Sequence, residues 1–414
     1  MSYILWFIIA FSIVGAGYGY AGWRLISPAH LPAPWNWIAW ALFAMLLLLP
    51  VAAISIEFNR LDFPWKRELE WAAYVSLGFL SMIITLLVLR DIGWLIVIAA
   101  QKVFALARGV RGGLQGDAGA ADPRRRELLV HSMNLGLIAV AGGLTAYGIY
   151  EARRRPAIVE ISMPVRDLPA SLQGFRIVQI TDIHAGLTVT RPFVETVVEM
   201  ANDLEGDIVA FTGDLVDGTV AGLREHVAPM QNLQARYGRY FITGNHEYYS
   251  GALPWVDEAR RLGFDVLLNE HRVIRLGEGT IVLAGVTDSS AGGFVPEHRS
   301  DPHKAIAGSP KADVRILLAH QPRSLYEGSK AGFDVQISGH THGGQFFPWN
   351  LLATVGQPYI KGLHKYGQTW IYVSKGTGYW GPPIRLAARS EITVLTLVRE
   401  DGGSGAQKGI SAPL

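Results

Sequence analysis

Two histidines separated by a single residue stand in Ser338-Gly339-His340-Thr341-His342-Gly343-Gly344-Gln345, at the end of an apolar run and ahead of two glycines. Imidazole nitrogens are good ligands for divalent metals, and glycine lets backbone come close to a ligand. The pair gains weight only if the chain supplies carboxylates and further nitrogens in similar places. Four other segments do so. Asp182-Ile183-His184 follows the run 175–181, and Gly213-Asp214-Leu215-Val216-Asp217 follows 207–212. Gly244-Asn245-His246-Glu247 follows 239–243, and His320-Gln321-Pro322 follows 314–319. Taken singly, each has an ordinary explanation: a turn for Asp-x-His, Gly-Asp or Gly-Asn-His, a satisfied core histidine for His320. Five such segments, each directly after a β-branched run, point instead to loops gathered at the strand ends of one α/β domain.

The donors are oxygen and nitrogen. The chain has no cysteine, which excludes disulfides, thiolate zinc sites and thiolate catalysis. Such a ligand set suits Mn, Fe or Zn and does not choose among them. Asp288, His298, His303 and His364 fall in expected loops near these segments and stay outside the set.

The elements that must hold these loops are short. Strands are expected at 175–181, 207–212, 239–243, 280–286, 314–319, 333–338, 370–374 and 391–398. Between the first two, Pro192 opens a helix whose Val194, Val197, Val198, Ala201 and Leu204 recur at helical spacing until Gly206 stops it. Similar helical patterns near 255–262 and 324–330 make 157–400 one layered α/β domain. In an extended strand end, residues i and i+2 share a face, so Asp182 is expected beside His184 and His340 beside His342. The Gly- and Ser-rich tail, 401–414, is expected to be disordered.

The first 152 residues are of another kind. Half of the 414 residues are hydrophobic, and the excess lies almost wholly before residue 150. Apolar runs near 4–21, 35–56, 71–89 and 129–150 are each long enough to cross a bilayer as a helix. We therefore expect an anchor of about four transmembrane helices, the third ending near Arg90-Asp91 and continuing to Ala100 as an interfacial helix. His131 and Asn134 put polar atoms in the fourth run. The Gly/Ala-rich stretch 109–122 reads as a linker. No run of buried charges marks a transport path, so the region is expected to anchor the chain or face lipid. The densest basic cluster, Lys102, Arg108, Arg111, Arg124, Arg125 and Arg126, precedes the last run and belongs in the cytoplasm. With four spans, that puts the N-terminus and the α/β domain on the extracytoplasmic side. Arg125-Arg126-Glu127-Leu128-Leu129 also resembles a twin-arginine export signal, whereas Arg153, Arg154 and Arg155 oppose this orientation. A net charge of +2 offers no basic field for nucleic acid.

Together the five segments resemble the calcineurin-like metallophosphoesterases. Asp182-Ile183-His184, Gly213-Asp214 with Asp217, Gly244-Asn245-His246-Glu247, His320 and Gly339-His340-Thr341-His342 match that family's five blocks in order, over roughly 175–397. Gly343-Gly344-Gln345, and Val373-Ser374-Lys375-Gly376-Thr377-Gly378 leading to Ile384-Arg385, are similar to its bacterial membrane-bound or exported branch. The resemblance implies a four-layer α/β/β/α sandwich behind the membrane helices, and a phosphohydrolase acting on phosphodiesters, lipid-linked in some members. It implies that Asp182, His184, Asp214 and His342 hold one divalent ion and that Asp214, Asn245, His320 and His340 hold a second. A hydroxide bridging the ions would attack phosphorus in line, and His246, bonded to Asp217, would stabilise or protonate the leaving oxygen. Protein phosphatases of the superfamily carry Arg-Gly after the aspartate; here Gly218-Thr219 follow Asp217, which removes a phosphate-binding arginine. Arg385 is expected to contact an anionic substrate or to form a surface ion pair. A phosphomonoesterase, a lipid-linked nucleotide pyrophosphatase and a non-catalytic sensor or scaffold are the alternatives.

Overall fold

The computed structural model describes residues 3–58, 63–107 and 123–400; the expected linker over 109–122 and the expected disordered tail lie outside them. The chain divides into two compact units, Met1–Gly148 and Ile149–Leu414.

The first unit is helical: α1 (Tyr3–Ile26), α2 (Trp35–Phe58), α3 (Lys66–Ala107) and α4 (Pro123–Arg153, reaching into the second unit). Among the described residues three helices are long and apolar enough to cross a membrane, Trp35–Ala53, Lys66–Ala107 and Glu127–Arg153, against the four expected. The run near 4–21 is helical, but half of its side chains lie outside the described set. The expected break at Arg90-Asp91 is also corrected, because α3 runs through it for 42 residues, roughly 63 Å at 1.5 Å per residue. Its charges are absorbed by partners. Asp91 accepts from Tyr20 Oη at 2.6 Å, Arg24 Nη2 at 2.5 Å and Arg90 Nε at 3.0 Å. Arg90 Nη1 donates to Asn134 Oδ1 at 2.9 Å, Asn134 Nδ2 donates to the Arg24 carbonyl at 3.1 Å, and His131 Nε2 lies 2.8 Å from the Pro28 carbonyl. The polar atoms of the last run thus tie α4 to the end of α1.

The second unit stacks two six-stranded mixed sheets. The first has the order β1 (Ala157–Val165), β12 (Glu391–Arg399), β2 (Arg176–Ile180), β3 (Ile208–Phe211), β4 (Arg239–Phe241), β5 (Asp265–Val266). The second has β10 (Gly362–Tyr366), β11 (Thr369–Val373), β9 (Val335–Ser338), β8 (Val314–Leu318), β7 (Gly279–Gly285), β6 (Glu270–Leu276). Strand alternation decides the layers. Ile177, Ile208, Ala210 and Ile242 point inward onto Ile281, Leu283, Ile316 and Ile337 of the other sheet. Val178, Ile180, Val209 and Phe211 point outward onto Val194, Val197, Val198 and Ala201 of α5 (Arg191–Asn202) and Trp255 of α6 (Ala252–Arg261). Ala305 and Leu325, from short helices, cover the outer face of the second sheet. The result is the four-layer α/β/β/α sandwich. All eight expected strands are present; β1, β5, β6 and β10 were not anticipated. Three of them are sheet-edge strands, whose polar outer residues blur the alternation, and the fourth, β5, is a two-residue edge strand.

Candidate metal centre

β2, β3, β8 and β9 run parallel or are joined through parallel neighbours within their sheets, so their C-terminal loops open at one end of the sandwich. There the side chains form two groups. In one, His184 Nε2 lies 3.1 Å from His342 Nε2, which lies 3.5 Å from Asp182 Oδ1. In the other, Asp214 Oδ2 lies 3.0 Å from His320 Nε2, which lies 3.3 Å from His340 Nδ1. Each group presents three ligand atoms close enough to share an ion. Asp214 Oδ2 is also 3.7 Å from His184 Nε2, so this one carboxylate reaches both groups.

The local backbone is unusual where these ligands sit. Asp182 (φ 55°), His184 (52°), Asp214 (57°), His340 (73°) and His342 (52°) all adopt left-handed conformations, which non-glycine residues enter at a cost of order 1–3 kcal/mol each. The expectation of extended strand ends is therefore wrong. The chain coils at these five ligands; Asp182 and His184 meet in one group while His340 and His342 part into two. The coil needs room. A Cβ at Gly339 would strike the Asp182 carboxylate and Thr181, and one at Gly244 would strike Asp214.

Several observations fit this donor set to divalent cations. Asn245 is buried, and its Oδ1 has no hydrogen-bond partner; an amide oxygen left bare in a protein interior is costly unless something coordinates it. Burial, with the nearby His320 imidazole, pushes His340 down to about 3, and burial and His184 hold His342 well below the usual imidazole range. Both rings thus keep their lone pairs. Burial opposes charge on Asp214, yet His320 and His246 hold its carboxyl well below the carboxylate norm.

Behind the ligands, Asp217 Oδ1 lies 3.0 Å from His184 Nδ1 and 2.5 Å from His246 Nδ1. With His184 Nε2 facing its group, Nδ1–H donates to Asp217, which fixes tautomer and ring orientation. His246 is held a second way, its backbone N–H donating to Asp214 Oδ1 at 2.8 Å. Burial disfavours its charge, but Asp214 and Asp217 raise its imidazole to about 9. The structure thus brings together Asp182, His184, Asp214, His320, His340, His342, Asp217 and His246, with Asn245 adjoining in sequence.

Two supports were not anticipated. Glu247, fully buried, accepts from the backbone N–H groups of Asp214 (3.0 Å), Leu215 (2.7 Å) and Gly244 (2.6 Å), pinning two ligand loops together; its place beside His246 in the motif was the available signal. Arg385 does not form the surface ion pair that was one of the two expectations for it. It is completely buried, and its guanidinium donates to the carbonyls of Gly378 (2.6 Å), Ala388 (2.6 Å) and Lys375 (2.8 Å), with Nη2 3.1 Å from His342 Nδ1. Five fixed donors suit it to gathering loop carbonyls. Of the residues left outside the set, Asp288 is bonded to Gln321 and Ser290, His298 to Tyr248, and His364 stacks on Tyr359, while His303 faces Glu327 on the surface.

The chain's residues 175–344 match the family model described as calcineurin-like phosphoesterase. A zebrafish relative, "Transmembrane protein with metallophosphoesterase domain", is 39% identical over 63% of this chain and 61% of its own length. The bovine protein of that name gives the same figures, so the chain spans about three-fifths of these relatives. An "uncharacterized metallophosphoesterase" of Helicobacter pylori strain J99 is 38% identical over 67% of this chain and 73% of its own length. The "uncharacterized metallophosphoesterase YkuE" of Bacillus subtilis is 30% identical over 62% and 92%. With its motif order, its two-sheet sandwich and these relatives together, the chain belongs to the calcineurin-like metallophosphoesterases.

Proposed function

We propose that this protein is a membrane-anchored phosphohydrolase using two divalent ions, and that its substrates are phosphodiesters. The observation that carries the reading is Asp214, whose Oδ2 lies within 3.7 Å of a nitrogen from each histidine group. A shared carboxylate is what two neighbouring cations need to offset their repulsion. In this reading Asp182, His184 and His342 complete one ligand set, and Asn245, His320 and His340 the other. When bound, such ions supply positive charge for the phosphoryl oxygens and make a neighbouring water a stronger nucleophile.

The chain's own residues then manage the leaving side. His246 presents Nδ1–H to Asp217, which leaves its remaining nitrogen for stabilising or protonating a departing oxygen. Asp217 keeps that ring in one tautomer and favours its charged form. No arginine follows Asp217, which agrees with a diester, whose single negative charge needs less neutralising than a monoester's two. The basic cluster before the last apolar helix supports an extracytoplasmic catalytic unit at a bacterial cell membrane, and the apolar helices suit a lipid-linked substrate.

The test is turnover of a bis-aryl against a mono-aryl phosphate by the Mn-supplemented full-length chain. Preference for the diester is expected. Preference for the monoester would transfer the assignment to a phosphomonoesterase, and cleavage confined to a lipid-linked nucleotide anhydride to a pyrophosphatase. His246→Ala should lower turnover most with a poor leaving group while metal content stays normal; full turnover there would remove His246 from this role.

A further inference from the structure

Two exposed aromatic rings lie against His246, and a third adjoins one of them. Tyr249 lies with its ring centroid 5.1 Å from the His246 ring, and Trp380 lies 5.5 Å from it. Phe294 extends the surface, 5.6 Å from Tyr249. Tyr249 is 60% exposed, Trp380 55% and Phe294 45%. Single exposed aromatics are ordinary on a protein surface, but contiguous ones mark binding sites.

Trp380 is also held by its backbone. Gln345, three residues past His342, clasps it by two backbone bonds: Gln345 Nε2 donates to the Trp380 carbonyl at 2.9 Å, and Gln345 Oε1 accepts from the Trp380 N–H at 3.1 Å. Its neighbour Tyr379 is buried and donates its hydroxyl to the Thr188 carbonyl at 3.2 Å. The backbone is thereby fixed to the metal-ligand loop while the indole is left in solvent beside His246. A rigid backbone carrying an exposed aromatic ring is a pre-organised contact for something outside the chain.

We infer that Trp380, Tyr249 and Phe294 form a cradle for a planar aromatic body on the group bonded to the phosphoryl centre, making them specificity-determining residues of this site. The inference rests on the phosphoester reading above. Aromatic faces select flat rings through offset or edge contacts, and the cradle lies on the side where His246 meets the departing oxygen. An aryl or nucleoside phosphoester fits this chemistry better than one with a small alkyl group.

The experiment measures binding rather than turnover. The Mn-loaded full-length chain in detergent is titrated calorimetrically with phenylphosphonate and with methylphosphonate, which share the charged head and differ in the body. Wild type should bind the phenyl compound about tenfold more tightly. Trp380→Ala and Tyr249→Ala should each remove most of that preference and leave the methylphosphonate Kd unchanged, and Trp380→Phe should restore it. Equal affinity for the two probes in wild type, or an equal loss for both probes in Trp380→Ala, would overturn the cradle alone. If neither phosphonate binds, the result counts against both the cradle and the phosphoester reading. Failure of diester turnover with the phenyl preference intact would count only against the diesterase assignment.

Discussion

Replacing Arg385 by methionine tests how far the candidate metal centre depends on a buried residue whose guanidinium is engaged by loop carbonyls. The substitution keeps the stem and removes five donors, so the carbonyls of Lys375, Gly378 and Ala388 lose their partners in a site closed to water. A buried polar group without its partner costs about 1–3 kcal/mol. Three of them, partly relaxed, imply a loss of roughly 3–5 kcal/mol. In a unit of this size 1 kcal/mol shifts Tm by about 2–4 °C, so the melting transition should fall by roughly 6–20 °C. Because Arg385 also abuts the His342 ring, metal affinity should fall about 10–100-fold, as it does when the support behind a ligand is removed. Arg385→Lys keeps the charge but not the planar fork, and should lie between the two. The assays are thermal unfolding of the full-length chain and metal content by elemental analysis, followed by steady-state kinetics on fully loaded enzyme. The reasoning predicts an unchanged KM once metal is saturating. A raised KM with normal stability and normal metal content would refute it and place the guanidinium in the substrate groove.

Chelation of the wild-type chain should lower its Tm, since a ligand at a hundredfold excess over its Kd stabilises the folded state by about 2.7 kcal/mol; a transition insensitive to chelator would speak against ion binding by these histidines. Asp214→Asn should reduce bound metal in both ligand sets, whereas His340→Ala should reduce it by one equivalent, both read by elemental analysis. Glu247→Ala strands three buried backbone N–H groups at Asp214, Leu215 and Gly244 and should cost roughly 3–5 kcal/mol by chemical denaturation. In the N-terminal helical unit, Asp91→Asn leaves Arg24 and Arg90 without their carboxylate; the detergent-solubilised chain's transition should fall by several degrees, and an unchanged transition would mean the cluster contributes no stability.

The residues of the centre were legible in the sequence because their signal is local. Asp182-Ile183-His184, Gly213-Asp214, Gly244-Asn245-His246 and His340-Thr341-His342 each follow a short β-branched run, and a strand end is one of the few places where such runs stop in a polar pair. The eight internal strands could be read for the same reason: both faces are buried, so hydrophobic residues run almost unbroken. The edge strands β1, β6 and β10 pair along one side only, and their composition did not distinguish them from loops.

What the tertiary structure decided is which side chains meet and what stands behind them. The sequence placed Asp182 beside His184 by strand alternation, but the left-handed turns at five ligands were invisible there, because such conformations are imposed by contacts from elsewhere in the chain. Arg385 gave no hint of burial, since a cation reads as surface until the carbonyls that surround it are assembled from a separate loop. The long helix through Arg90-Asp91 was likewise hidden, because the partners that make those charges tolerable lie about 40 to 70 positions away in sequence. The aromatic rings beside His246 come from three segments that only the fold brings together. Chemistry held within a few consecutive residues can be read in sequence; chemistry made by long-range contacts has no local trace.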